Sequence, residues 1–154
     1  MTTHERRGSV GGWAWFLPMA YGAHVLEEAF GGRGFTAWMA AGGGVRLSLA
    51  AFIGLNLVGA GMLCLAAWAA RRSKGWRWLL ASGATIVLVN GVWHAALCAA
   101  ARAYVPGVGT GLFLYVPLGA MMLHRLRWLV SPLIFISAIA VGLAIHRAVL
   151  WIVL

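Results

Sequence analysis

Glu27 and Glu28 stand side by side in the stretch AHVLEEAFGG, three and four residues after His24. On a helix, residues four apart share a face, so His24 and Glu28 can chelate one ion or exchange one proton. Asn90 and His94 repeat that spacing, and a third histidine, His146, precedes Arg147 in the last apolar run. Two or three imidazole nitrogens with one or two carboxylates suit zinc or non-haem iron. His24, Glu28 and His94 are the first-choice ligands and His146 is a fourth. Glu27 is then a general base acting on water at the metal, or a second, bridging ligand. Asn90 orients a ligand from behind it, and Asn56 is a further supporting residue. Without a metal the same groups form an acid–base relay, because adjacent glutamates in a poor dielectric part into one acid and one base. A chain of intramembrane Glu and His also suits a path for protons or metal cations.

The chemistry is conspicuous because acids are so scarce. The 154 residues include three Asp and Glu together, the third being Glu5 in the polar leader, against 12 Lys and Arg; 62% of the residues are hydrophobic and 10% charged. A soluble domain is nearer half apolar and a quarter charged. The composition implies one all-α domain, residues 1–154, in a lipid bilayer. The net charge of +9 does not indicate nucleic acid, because the basic residues fall in short loops between apolar runs. Cys64 and Cys98 lie in apolar segments at neither a zinc nor a disulfide spacing.

Five apolar runs are expected to cross the membrane as a helical bundle: about 12–30, 47–70, 76–101, 111–123 and 128–154. The fourth is only just long enough. Arg6 and Arg7 precede the first run; Arg71, Arg72, Lys74 and Arg77 join the second to the third; Arg125 and Arg127 join the fourth to the fifth. The opposite loops hold Arg33, Arg46 and Arg102. Positive charge stays inside, so the N-terminus is expected in the cytoplasm and the C-terminus outside, in a multi-pass protein of the inner (cytoplasmic) membrane. A cleavable signal ending near Ala23 competes for the first run, but a retained span is the preferred reading.

A carboxylate at mid-bilayer costs about 2.5–3.5 kcal/mol on the insertion scale, so two together need partners. Counted from the inner ends of their spans, His24–Glu28, Asn90–His94 and His146 fall roughly 12–18 residues deep, in one slab of the outer half. Asn56 reaches that slab from outside. Tyr21, His24, Glu27 and Glu28 share one arc of the first helix, and Gly83 and Gly91 let a neighbour approach the third. The glutamates are tolerable there because they face histidines rather than lipid.

HVLEE at 24–28, NGVWH at 90–94 and YVPG at 104–107 occur in that order. The ordered trio resembles the HXXEE family of small bacterial membrane proteins, described by an HxxEE motif, a later NxxxH and a YxPG among several helices. The resemblance marks His24, Glu27, Glu28, Asn90, His94, Tyr104, Pro106 and Gly107, and implies no established activity. The loop that carries the last three is expected at the outer mouth of the slab. Pro106 and Gly107 favour a tight turn there, Tyr104 can dip its hydroxyl into the site, and the whole can act as a lid.

Plainer roles stand beside these. Either glutamate paired with Arg147 is a structural ion pair between the first and last helices. Asn56 and Asn90 serve as hydrogen-bonding glue between helices. His4 and His124 are solvated loop residues, Cys98 is a small packing residue, and the tryptophans anchor the interface. The preferred expectation is a metal-dependent membrane enzyme, hydrolase or oxidoreductase, acting on a lipophilic substrate, with Glu27, Glu28 and Tyr104 as its catalytic groups. A metal-free acid–base hydrolase or isomerase, a transporter and a helix-packing module are the alternatives. Many glycines in short spans also permit a homo-oligomer or a membrane-protein partner.

Overall fold

The computed structural model describes residues 10–42 and 47–153. Every regular element among them is helical. A 3-10 turn, Gly12–Trp15, runs directly into α1, Phe16–Phe30. A seven-residue helix, α2, covers Phe35–Ala41. Then come α3, Leu49–Arg72, and α4, Arg77–Ala101. A helical turn, Val108–Thr110, and a π turn, Gly111–Tyr115, lead into α5, Val116–Leu126; α6 is Pro132–Val153. The expected roles of His4, Glu5, Arg6, Arg7 and Arg46 lie outside the described residues.

Local chemistry explains the boundaries. Ser48 caps α3, its hydroxyl accepting from the Ala51 N–H at 3.1 Å, and Arg71 and Arg72 complement the carbonyl end of that helix. Arg102 closes α4 in the left-handed conformation at φ 49°. Pro132 opens α6, where a missing N–H does no harm. The π turn falls just before Pro117, whose ring nitrogen cannot donate to the Phe113 carbonyl in a regular α ladder.

Among the described residues three helices are long and apolar enough to cross a membrane: Leu49–Arg72, Lys74–Ala101 and Pro132–Trp151. They answer to three of the five expected runs. The other two expected runs are also helical but divided: α1 has 15 residues behind its 3-10 turn, and α5 has 11 behind the π turn. The helix α2 had no counterpart among the expected runs; it falls in the connection after the first.

α4 is the central rod and packs against α3, α5, the π turn and α6. Leu17, Leu63, Leu80, Val87, Met122 and Leu126 form much of the core around it. Polar ties fix its neighbours: Arg77 donates to the Leu129 carbonyl at 3.1 Å, and Ser82 donates to the Ala138 carbonyl at 2.9 Å. The guanidinium of Arg125 lies 5.6 Å from the Trp13 ring, so the start of the chain's first helical turn and the end of α5 share one end of the bundle. Where α4 meets the π turn, glycines face each other. A Cβ on Gly91 would come within 2.6 Å of the Gly111 carbonyl and 2.9 Å of Tyr115 Cβ. That close approach sets the depth at which residues 107–115 settle over the site.

Candidate metal centre

His24 and Glu28 occupy the inward face of α1, and His94 points at them from α4. All three are buried, at 2%, 7% and 1% exposure. Glu28 Oε1 lies 3.1 Å from His94 Nε2 and 3.6 Å from His24 Nε2. The two imidazoles meet edge to face with centroids 4.8 Å apart. One ligand atom from each of the three residues lies within 4.8 Å of the others. At that spacing modest side-chain rotation brings all three onto a single ion. Among the described residues this is the group of His, Cys, Asp and Glu close enough to do so.

Glu27, one residue earlier, faces a different neighbour. Its Oε1 accepts from the Tyr104 hydroxyl at 2.9 Å and the Gly109 N–H at 2.9 Å. Its Oε2 accepts from the Thr110 N–H at 2.6 Å and from the Thr110 hydroxyl. Four donors fill the four lone-pair positions of an ionised carboxylate. The side chain therefore clamps the 104–110 segment onto the end of α1 and caps the helical turn that starts at Val108.

That clamp decides where a proton sits on His24. His24 Nδ1 is 2.8 Å from Thr110 Oγ1. Thr110 has one hydroxyl hydrogen and gives it to Glu27; its 3.4 Å contact to the Gly107 carbonyl is much longer. Thr110 Oγ1 is left as an acceptor, so His24 Nδ1 carries the N–H. The other nitrogen, Nε2, makes no hydrogen bond among the described residues and stands 3.6 Å from Glu28 Oε1; in the neutral imidazole its lone pair is open to a metal. An imidazole held through one nitrogen, with the other free beside a carboxylate, is how metal-ligating histidines are oriented.

The 104–107 segment roofs the centre. Val105, Pro106 and Gly107 are buried, whereas the Tyr104 ring is half exposed above Glu27. Loss of water raises the Tyr104 hydroxyl above its ordinary range, and its bond to Glu27 and that negative charge add to the effect. Gly107 adopts φ +95° directly over the imidazoles. A Cβ there would lie 2.8 Å from His94 Cε1 and 2.9 Å from His24 Cε1. Only glycine satisfies both the backbone conformation and the space.

The remaining candidates are spread around this core. His146 is buried on α6 and near enough to His94 to interact with it electrostatically, but it is outside the three-residue ligand group. Asn90 sits one turn before His94, with Oδ1 buried and without a hydrogen bond among the described residues. Asn56 accepts from the Tyr21 hydroxyl at 2.7 Å and donates to the Phe52 carbonyl at 2.9 Å, joining α3 to α1. Arg147 is exposed on α6, while the Glu28 carboxylate faces the two histidines. His124 is exposed, Cys64 is exposed and Cys98 is partly buried.

Three contributors escaped the sequence reading. Thr110 looked like one more residue of a glycine-rich loop, though a hydroxyl between Gly109 and Gly111 was a usable signal. Tyr115 stacks on His24 with centroids 4.1 Å apart and 28° between planes; within an apolar run it gave no sign of this. Phe35 of α2 tilts against His94 at 5.5 Å, in a helix that was not foreseen.

No curated protein and no solved structure matches the chain. A family model described as "Protein of unknown function with HXXEE motif" matches residues 15–122, a region holding both α1 glutamates, the Asn90–His94 pair and the clamped 104–110 segment. The ordered motifs, the geometry that unites them and this match over most of the chain agree, and the protein belongs to the HXXEE family.

Proposed function

We propose that the protein is a five-span membrane enzyme that binds one divalent transition metal, zinc or iron, through His24, Glu28 and His94 and acts on a lipophilic substrate. The observation that carries this reading is the convergence of His24, Glu28 and His94, with His24 Nε2 unpartnered while Thr110 holds Nδ1, beside a carboxylate already within 3.1 Å of His94. A bound ion would supply Lewis acidity to a substrate oxygen. The chain's own residues do the rest. Glu27 and Thr110 hold His24 in the ligating tautomer. Gly107 and Pro106 keep water from above, and Phe35 packs beside His94. Glu28 can take up a proton at the carboxylate oxygen not engaged by the imidazoles.

A lipophilic substrate is supported by a groove of about 470 Å³ between α1 and the π turn with α5. Met19, Ala20, Ala23, Phe113, Leu114 and Leu118 are among its walls, all of which are apolar. Ala20 lies one turn from His24 on α1, while the residues of the centre are not among the groove's walls. The inner-membrane topology, N-terminus in the cytoplasm, is supported by the basic residues. Arg71, Arg72, Lys74 and Arg77 lie at the junction of α3 and α4, and Arg125 and Arg127 at that of α5 and α6. The 3.1 Å contact between Glu28 and His94 also favours a second reading, metal-free acid–base catalysis by that pair.

Elemental analysis separates the two. Protein purified without chelator and dialysed against zinc or iron is expected to keep about one ion per chain, and His94→Ala to lose it while remaining folded. Absence of any tightly held transition metal in the parent removes the metal reading and leaves the acid–base one.

A further inference from the structure

Tyr115 is among the most deeply buried side chains, at 1% exposure. Its ring is held against His24 by stacking and from behind by Gly91, where no side chain fits between α4 and Tyr115 Cβ. The π turn that carries it is a local departure from the α ladder of the kind that re-aims side chains at functional sites. Yet Tyr115 Oη makes no hydrogen bond among the described residues. A buried, unpaired phenol is rare, because it forfeits about 1–3 kcal/mol of hydration with nothing in return. The other tyrosines near α1 are both satisfied: Tyr21 donates to Asn56, and Tyr104 to Glu27. Tyr115 alone of these has a donor left over, and it carries it on a ring stacked against a candidate ligand.

We infer that Tyr115 is a further ligand-contacting residue of this centre, donating its phenolic hydrogen bond to a carbonyl, carboxyl or phosphoryl oxygen of the molecule bound at His24, Glu28 and His94. The inference rests on the proposed metal reading and names the chemistry of the substrate end that enters: an oxygen acceptor, not an amine or a bare hydrocarbon. A rigid phenol stacked on a ligating imidazole is preorganised to donate as negative charge gathers on that oxygen.

The test compares the parent with Tyr115→Phe, full length, in detergent micelles. Thermal melting is recorded metal-free. Cobalt(II) binding is then followed by visible absorbance, and the cobalt-loaded proteins are titrated with acetohydroxamate as an oxygen-donor probe. Tyr115→Phe is expected to bind cobalt as tightly as the parent and to melt at or above its temperature, because it removes a donor with no internal partner. Its affinity for acetohydroxamate is expected to fall about tenfold, the size of one lost hydrogen bond. Equal acetohydroxamate affinity overturns the inference. So does melting several degrees below the parent, which would mean that the hydroxyl is spent inside the fold. Failure of the parent to bind cobalt is the separate failure of the metal reading. Tyr115 is then judged by melting alone: a lower temperature in Tyr115→Phe overturns the free donor, and an equal or higher one supports it.

Discussion

Thr110 gives its backbone N–H and its hydroxyl hydrogen to Glu27, and its hydroxyl oxygen stands 2.8 Å from Nδ1 of His24. One small side chain thus couples the two neighbouring functions of the HxxEE motif. Glu27 holds the roof segment; His24 and Glu28 face the interior. The coupling explains how two carboxylates tolerate adjacent positions in a chain so poor in acids: each has its own set of partners.

Thr110→Val keeps the shape and deletes the hydroxyl. His24 loses its orienting acceptor and Glu27 one of its four donors. Metal affinity is expected to fall about 10- to 100-fold, as it does when the group behind a ligating histidine is removed. Isothermal titration with zinc checks it, and circular dichroism should report unchanged helix. Unchanged affinity would mean that the Thr110–His24 contact orients nothing.

Gly107→Ala places a methyl group where both imidazoles already lie and demands φ +95° of a residue with a Cβ. The backbone strain alone costs about 1–2 kcal/mol. The roof must therefore lift, and zinc binding is expected to be lost while α3, α4 and α6 keep their helix content. Zinc titration beside circular dichroism reads both. Full zinc affinity in this variant would show that the roof sits elsewhere in the working protein.

How much of this the sequence carried depends on the kind of signal. The scarcity of acids and the depth expected of His24, Glu28, His94 and His146 along their runs pointed to one group; the first three come together in the structure and His146 lies outside their group. The ends of the long helices were legible within a few residues: apolar runs stop where arginine or glycine begins. The separation of Glu27 from Glu28 was not legible. Adjacent residues on a helix differ by about 100° in direction, and which of the two meets the loop depends on how the 104–110 segment folds back. α2 was hidden because FTAWMAA is too short and too uniformly apolar to show a helical period. Tyr115 was hidden because it lies within an apolar run, and the π turn that carries it leaves no hydrophobic period to read.

Gly91→Ala tests the packing that sets the π turn. A Cβ would meet the Gly111 carbonyl at 2.6 Å, and backbone is not free to move aside as a flexible side chain can. Overpacking of this kind typically costs about 1–3 kcal/mol. The melting temperature is expected to drop, and zinc affinity with it, because Tyr115 and the roof are carried on the same turn. Loss of stability with full zinc affinity would separate the glycine contact from the centre.

The central claim is that His24, Glu28 and His94 hold one metal ion. X-ray absorption at the metal edge of the zinc-loaded protein tests it most directly, with Glu28→Gln measured alongside. The predicted spectrum contains the outer-shell scattering of two imidazoles and a first shell of nitrogen and oxygen at about 2.0–2.1 Å. Glu28→Gln should lose most of its bound metal. A spectrum with sulfur in the first shell, or with no imidazole scattering, would place the metal elsewhere and contradict the account.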